Sequence, residues 1–253
     1  MTEYMPGAEP FEFKGDGCSV LVLHGFTGST QSMRYLGQTL NEKFGFHVLG
    51  PCLAGHGTSP DEMEKTGFQD WMASADAAFQ QLAARGKPVF VTGLSMGGML
   101  TLGLAEVYAD QIAGVIPINA IAGENDGGLA ELILAPEAPP RIPGIGSDIK
   151  AEGVEELAYA EVPVKCLRDV YLAQAAIGDR LDKISCPVMI IQSREDHVVR
   201  PMNAHRIMTR VGSSDVRLRW LDNSYHVATL DNDKDLIAQT TGRFIQEVLA
   251  GDG

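Results

Sequence analysis

The sequence predicts an α/β domain in which a mostly parallel sheet carries helices on both faces. Short apolar runs rich in Val, Leu and Ile alternate along the chain with longer segments whose apolar residues recur at helical spacing. Continuously apolar runs are typical of strands covered on both faces, as in a parallel sheet. Residues suited to chemistry directly follow several of these runs, and the carboxyl ends of parallel strands share one edge, where ligands bind.

The first third of the chain supplies the strands at one side of this sheet. In chain order we predict an edge strand at 10–14, a central strand at 19–23, a helix at 31–44, a strand at 46–49 and a helix at 68–85. Ser29 or Thr30 is expected to cap the first of these helices, because hydroxyl side chains accept the unpaired amides of a first turn.

The next strand and helix enclose the most specific local pattern of the chain. Residues 88–92 predict a buried strand, 96–108 predict a helix, and the turn between them reads G-L-S-M-G. A strand, a G-x-S-x-G turn and a helix form a nucleophile elbow, which lifts a serine hydroxyl above the sheet edge. The glycines permit the sharp turn and close packing. We therefore predict Ser95 as a nucleophile; the alternative is a solvent-facing turn with an idle serine.

The alternation of strands and helices is interrupted once in the second half. After a strand at 113–118, residues 120–178 contain glycines, prolines and short apolar patches but no convincing parallel strand. An unstructured loop of this length is uncommon in a compact domain. We therefore predict a core of residues 1–119 and 179–253, with 120–178 as a small cap inserted after the sixth strand. The remaining core elements are a strand at 186–192, a helix at 202–211, a strand at 216–221 and a helix at 233–249.

Composition and charge exclude several classes of function. The chain has 33 acidic and 20 basic residues, a net charge of −13, and no basic cluster, which argues against nucleic-acid binding. It contains no apolar run long enough to insert stably in a membrane and no recognisable signal peptide, so a cytoplasmic location is expected. The four cysteines are irregularly spaced, which predicts free thiols and neither a metal site nor another cofactor.

A serine nucleophile requires a base and an acid, and in this kind of fold they follow it in the order acid, then histidine. Glu195 and Asp196 come directly after the strand at 186–192, and we favour Asp196 because a short carboxylate before two valines can be held rigidly. An acidic surface turn is the alternative. His226 follows the last strand and has both the right order and the right loop, unlike His24, His47, His56, His197 and His205.

The reaction also requires donors that stabilise an oxyanion. The amide of Met96, the residue after the nucleophile, is one expected donor. The second is expected from His24-Gly25-Phe26, the loop after the first central strand, where we favour the Phe26 amide.

Five motifs together resemble the bacterial carboxylesterase and monoacylglycerol lipase branch of the α/β-hydrolase superfamily. They are H-G-F-T-G-S, A-G-H-G-T, T-G-L-S-M-G-G, E-D-H-V-V and N-S-Y-H-V-A-T-L-D, and the resemblance extends along nearly the whole chain. It implies the α/β-hydrolase fold, the triad Ser95, Asp196 and His226, and oxyanion donors at Phe26 and Met96. The cap also matches at I-G-S-D and E-L-A-Y, which implies that Ile145 shields the acyl chain and that Glu156 faces a glycerol group.

The resemblance implies hydrolysis of monoacylglycerols and other short-to-medium-chain carboxylic esters through an acyl-serine, with a small-molecule ester as substrate and no cofactor. Activity is expected to rise with pH through about 6–7, as the histidine becomes neutral.

A thioesterase or a C–C bond hydrolase would use the same triad, and a ligand-binding relative with little turnover is a further alternative. Haloalkane dehalogenases and epoxide hydrolases carry an aspartate at the elbow, which Ser95 excludes.

Overall fold

The computed structural model describes residues 3–123 and 127–251. The outer ends of the predicted core, at residues 1 and 253, lie outside this part, as do residues 124–126 of the predicted cap. The strands are β1 Phe11–Phe13, β2 Ser19–Leu23, β3 His47–Gly50, β4 Val89–Leu94, β5 Ile112–Ile118, β6 Arg141–Pro143, β7 Glu161–Pro163, β8 Val188–Ser193 and β9 Val216–Leu221. The helices are α1 Gln31–Phe44, α2 Pro60–Glu64, α3 Phe68–Ala83, α4 Met96–Val107, α5 Gly127–Leu134, α6 Val164–Gly178, α7 Met202–Arg210 and α8 Lys234–Ala250.

Seven strands form one sheet in the order β1-β3-β2-β4-β5-β8-β9. β1 is antiparallel to β3 at one edge, and the other pairs are parallel. Side chains alternate between the two faces along β2, where Val20 and Val22 join one core cluster and Leu21 and Leu23 the other. This sheet confirms the predicted fold class.

Helices cover both faces of the sheet. α1 and α8 pack on one face through residues such as Leu36 and Phe244, and α3, α4 and α7 pack on the other through residues such as Trp71 and Ile207. α4 is apolar on almost all sides because it runs beneath neighbouring elements, and its residues 96–105 are all buried. The elbow helix therefore has little freedom to move.

Residues 120–178 add α5, the two-stranded antiparallel pair β6 and β7, and α6 to the core. These residues follow β5, which is the fifth strand along the chain, whereas the prediction placed them after a sixth strand. A long connection joins the two small strands, and we call it the β6–β7 loop (residues 144–160). α6 packs on α4 and α5. None of the described helices is long and apolar enough to cross a membrane.

The predicted side-chain cap of α1 differs from the structure. Thr30 occupies the cap position of α1, but its hydroxyl donates to Glu9 O at 2.7 Å instead of accepting a helix amide. The other candidate, Ser29, accepts Gln31 N only at 3.4 Å.

The cysteines agree with the prediction of free thiols, since all four are free and all but the half-buried Cys52 are buried.

Candidate active site

Ser95 stands at a strained turn between β4 and α4. Its backbone has φ +57° and ψ −116°, a combination that a residue with a side chain rarely adopts. A backbone hydrogen bond from Ser95 N to Ile118 O, at 2.9 Å, holds the turn in this conformation. The flanking glycines are required by close approach: a Cβ on Gly93 would lie 2.3 Å from the Gly97 carbonyl carbon, and one on Gly97 would lie 2.2 Å from Leu23 O. The geometry is that of a nucleophile elbow.

Asp196 and His226 form a buried hydrogen-bonded pair. Asp196 Oδ2 lies 2.9 Å from His226 Nδ1, and the Asp196 side chain is completely buried. Its other oxygen, Oδ1, accepts the amides of Val198 at 2.9 Å and Val199 at 2.7 Å. Glu195, the alternative acid, is exposed and pairs with Lys150. The structure thus brings Asp196, and not Glu195, to the histidine.

The charges around His226 favour its protonated form. Burial alone lowers the pKa of the imidazole. The carboxylates of Asp196, Glu156 and Asp148, together with the hydrogen bond that His226 donates to Asp196, outweigh burial and raise the pKa above its ordinary value of 6.5. Because Nδ1 faces a carboxylate, it carries the proton in the neutral ring, and Nε2 is the nitrogen able to accept one.

Ser95 and His226 line the same cavity. Within the part of the chain that the structure describes, no hydrogen bond joins the Ser95 hydroxyl to the histidine. Bonds between a nucleophile and its base are often long in a free enzyme and tighten in the complex with substrate. The two side chains therefore share one cavity, without a direct hydrogen bond between them.

The loop after β2 lies directly beside Ser95. A Cβ on Gly25 would be 3.5 Å from Ser95 Cβ, and Phe26 lines the same cavity. His24 supports this loop: its Nδ1 donates to Gly25 O at 2.9 Å and its Nε2 accepts Leu53 N at 3.0 Å. Burial lowers the pKa of His24 to about 4, so the ring is neutral at pH 7. Met96, the other expected donor, is the buried first residue of α4. The first amides of a helix have no acceptor within it and point away from its N-terminus.

The cavity has a volume of about 200 Å³ and is mainly apolar. Leu94, Ile121 and Val170 line it near Ser95, and Ile145 contributes from the β6–β7 loop. Ile145 is 67% exposed, which places it at the mouth. An apolar cavity with few polar groups is typical of a site for a small, largely apolar ligand.

Glu156 and Asp148 are acidic residues of the β6–β7 loop that line this cavity. A Cβ on Gly28 would lie 2.6 Å from Glu156 Oε1, so a larger residue there would displace the carboxylate. Burial raises the pKa of Glu156, while His226 and a hydrogen bond from Ser32 act in the opposite direction. The backbone of Glu156 is held by Ser147 Oγ, which accepts its amide at 2.8 Å.

Two buried residues that the sequence analysis leaves unassigned hold the His226 loop. Asn119 has φ +43° and donates from Nδ2 to His226 O at 2.7 Å, while its Oδ1 accepts Ser193 N at 2.7 Å. Asp231 accepts Tyr225 N at 2.9 Å. An asparagine directly after a buried strand suits left-handed backbone and was a recognisable signal; Asp231 is the last residue of the N-S-Y-H-V-A-T-L-D motif.

The described residues offer no evident metal centre. Across residues 3–123 and 127–251, no group of three or more His, Cys, Asp and Glu side chains is arranged to hold a metal ion.

Two family models match the chain. The model described as alpha/beta hydrolase fold matches residues 19–141, and the model described as serine aminopeptidase, S33 matches residues 148–235. The chain is 43% identical to a thermostable monoacylglycerol lipase of Bacillus sp. (strain H-257), over 96% of this chain and 98% of that protein. It is 32% identical to a carboxylesterase of Bacillus subtilis (strain 168), over 95% of this chain and 97% of the other.

Solved structures agree with these relatives. One, from work on the metagenome-derived lipolytic enzymes LipS and LipT, is 48% identical with a TM-score of 0.93 and covers 97% of this chain and 100% of that chain. The monoacylglycerol lipase of Paleococcus ferrophilus has a TM-score of 0.76 at 17% identity, covering 95% and 98%, and supports the fold alone.

The chain belongs to the α/β-hydrolase family, as a 43% match along 96% of its length establishes. Within that family it is an enzyme of the serine ester hydrolase class, the class of the two Bacillus relatives. The family predicted from the five motifs is therefore confirmed.

Proposed function

We propose that this enzyme hydrolyses monoacylglycerols and related short-to-medium-chain esters, with Ser95 as nucleophile, His226 as base and Asp196 as the acid. The observation that carries the proposal is the buried Asp196–His226 pair beside an apolar cavity that Ser95 also lines. The relative named as a monoacylglycerol lipase supports the choice of substrate.

The reaction follows from the tautomer of His226. Nε2 takes the proton of the Ser95 hydroxyl as Oγ attacks the ester carbonyl, and Asp196 stabilises the imidazolium that forms. The imidazolium then gives this proton to the leaving alcohol, and an acyl-serine remains. Water attacks the acyl-serine by the same route and releases the fatty acid, which restores the free serine.

The amides of Phe26 and Met96 are proposed to bind the oxyanion of each tetrahedral intermediate. Both belong to rigid elements: Phe26 lies in the loop that His24 supports, and Met96 begins the buried helix α4. Donors that are already oriented need no reorganisation as charge develops, and the loss of one such donor costs about 10²–10³ in rate.

Residues 120–178 are proposed to act as a cap that forms the substrate side of the cavity. Its Ile145 would contact the acyl chain at the mouth, and its Glu156 would accept hydrogen bonds from the hydroxyls of glycerol. A carboxylate raised in pKa by burial gains from such donors, because they replace the water that it has lost.

The cellular setting is proposed from the cysteines. Four free thiols, three of them buried, are typical of a reducing compartment, which favours the cytoplasm. The net charge of −13 favours a neutral small-molecule ester over nucleic acid as the partner.

A substrate series tests this function. Wild type and Ser95→Ala are assayed in parallel on monoacylglycerols, ethyl esters and p-nitrophenyl esters of matched acyl chains, and on the corresponding acyl-CoA. We expect the highest kcat/KM on monoacylglycerols and no turnover above background by Ser95→Ala. A preference for acyl-CoA over every oxygen ester would instead assign a thioesterase.

A further inference from the structure

The β6–β7 loop makes direct contact with the His226 loop through Asp148. Asp148 Oδ2 accepts the backbone amide of His226 at 3.0 Å, and Asp148 O accepts that of Val227 at 3.0 Å. Asp148 Oδ1 lies 2.8 Å from His197 Nδ1, and Oδ2 also accepts His197 N at 3.3 Å. One side chain of the predicted cap thus binds the backbone on both sides of the Asp196–His226 pair.

The Asp148 side chain is largely removed from water, whereas its partner His197 is exposed. Its side chain is 15% exposed and that of His197 is 59% exposed. The His197 ring packs edge-on against Tyr225 at 4.6 Å between ring centres. Hydrogen bonds from backbone amides to a carboxylate are stronger than neutral ones, and more so where water is excluded. Asp148 is therefore able to fix the position of the His226 backbone.

We propose that Asp148 is a positioning residue for the catalytic histidine, which holds the His226 backbone and contributes negative charge beside its imidazole. This inference rests on the proposed function, in which His226 is the base. It also gives the β6–β7 loop a second role: besides bordering the cavity, the loop would set the alignment of His226 toward Ser95.

A second contact secures the same loop without touching His226. Asp231 is buried and accepts the amides of Lys150 at 2.7 Å and Ala151 at 2.9 Å, as well as that of Tyr225. Asp231 thus anchors the same two chain segments as Asp148, one residue away from the histidine. This makes Asp231 a matched control for loop anchoring.

The electrostatic part of the role has a defined direction. Within the described residues, Tyr171, His197 and Arg200 border the same cavity as the imidazole. The carboxylates that act on the imidazole are Asp196, from the loop after β8, and Glu156 and Asp148, from the β6–β7 loop. Each favours the imidazolium, so removal of the Asp148 charge lowers the pKa of His226. The acid limb of the kcat/KM profile then moves to lower pH.

The test compares Asp148→Asn and Asp148→Ala with wild type, Asp231→Asn and Ser95→Ala, from pH 5 to 9 on one neutral ester. The asparagine oxygen can still accept the His226 and His197 amides, so Asp148→Asn keeps most of kcat and shifts the acid limb to lower pH. Alanine removes the acceptor as well, and kcat falls by up to about 100-fold with a smaller change in KM. Asp231→Asn loses thermal stability but leaves the acid limb where wild type has it.

Each outcome separates the inference from the proposed function. An unshifted acid limb in Asp148→Asn overturns the positioning role, as does a wild-type kcat in Asp148→Ala. If the alanine variant does not fold, the limb of Asp148→Asn decides alone. Hydrolysis that survives in Ser95→Ala instead overturns the proposed function, whatever the Asp148 variants do.

Discussion

His226 Nδ1 lies 2.9 Å from Asp196 Oδ2, and the other oxygen of Asp196 is held by two backbone amides, those of Val198 and Val199. The carboxylate therefore has a fixed orientation before substrate binds. Its position selects the Nδ1–H tautomer of His226 and leaves Nε2 free to accept a proton, as the proposed base must. This relationship has a direct consequence for substitution of the acid.

Asp196→Asn is expected to lower kcat by about 10⁴-fold while the protein stays folded. The asparagine oxygen can still accept the two valine amides, but its NH₂ group faces His226 Nδ1 and favours the wrong tautomer. Steady-state kinetics beside a thermal unfolding curve checks this. A folded variant with more than a tenth of wild-type kcat would show that Asp196 is not the acid.

The pH dependence of kcat/KM is expected to have its acid limb above pH 6.5. The base must be neutral, and its surroundings raise the pKa of His226 above 6.5. The sequence alone predicts a limb at about 6–7, and the carboxylates around His226 in the structure move the expected limb upward. The measurement uses a neutral ester, with each sample returned to pH 7.5 to exclude denaturation. A limb below pH 6.5 would contradict the described charges.

Substitution of Glu156 is expected to affect glycerol esters selectively. Glu156→Ala should raise KM for a monoacylglycerol and change that for the ethyl ester of the same acid much less, because only glycerol offers free hydroxyl donors. Glu156→Gln keeps an acceptor of the same shape and should recover part of the loss. Equal losses on both esters would remove Glu156 from glycerol recognition.

The buried His24 is expected to make the fold sensitive to acid. The pKa of His24 is about 4 in the native state, against 6.5 for an ordinary histidine. Between these pH values the unfolded chain therefore binds a proton at this residue and the native state does not. The contribution of neutral His24 to the free energy of unfolding is fully present above pH 6.5. It is lost as the pH falls toward 4, and the loss amounts to about 3 kcal/mol. Urea unfolding of wild type and His24→Gln at several pH values measures this loss.

The expected variant is less stable at pH 7 but loses less stability on acidification. His205→Gln is the matched control, because His205 lies exposed on α7. An acid sensitivity that is the same in wild type and His24→Gln would contradict a neutral, buried His24.

Much of the core was predictable because its local patterns are strong. The bounds of β2 and α1 agree with the prediction, since a five-residue apolar run and a helical repeat both define their own ends. α2 was not predicted, although Ser59 caps it and Pro60 begins it, because the neighbouring glycines suggest a loop. α6 was also missed; its buried residues include Cys166, Ala173 and Gly178, and small side chains weaken the apolar period.

The candidate site was predictable where its residues directly follow strands. Chain order and loop position single out His226, and the structure brings it to Asp196. Asp148 was not predictable in the same way, because its partners His197 and His226 lie 49 and 78 residues along the chain. Such a contact depends on how the β6–β7 loop folds back over the sheet edge, which no local pattern encodes.

The most direct test of the account is the identity of the residue that becomes acylated. Wild type is mixed with p-nitrophenyl butyrate, quenched in acid within milliseconds and digested for mass spectrometry, with Ser95→Ala treated identically. We expect a butyryl group on the peptide that contains Ser95, no adduct in the variant, and hydrolysis at least about 10⁴-fold slower in the variant. A butyryl group on another residue, or wild-type turnover by Ser95→Ala, would contradict the central claim.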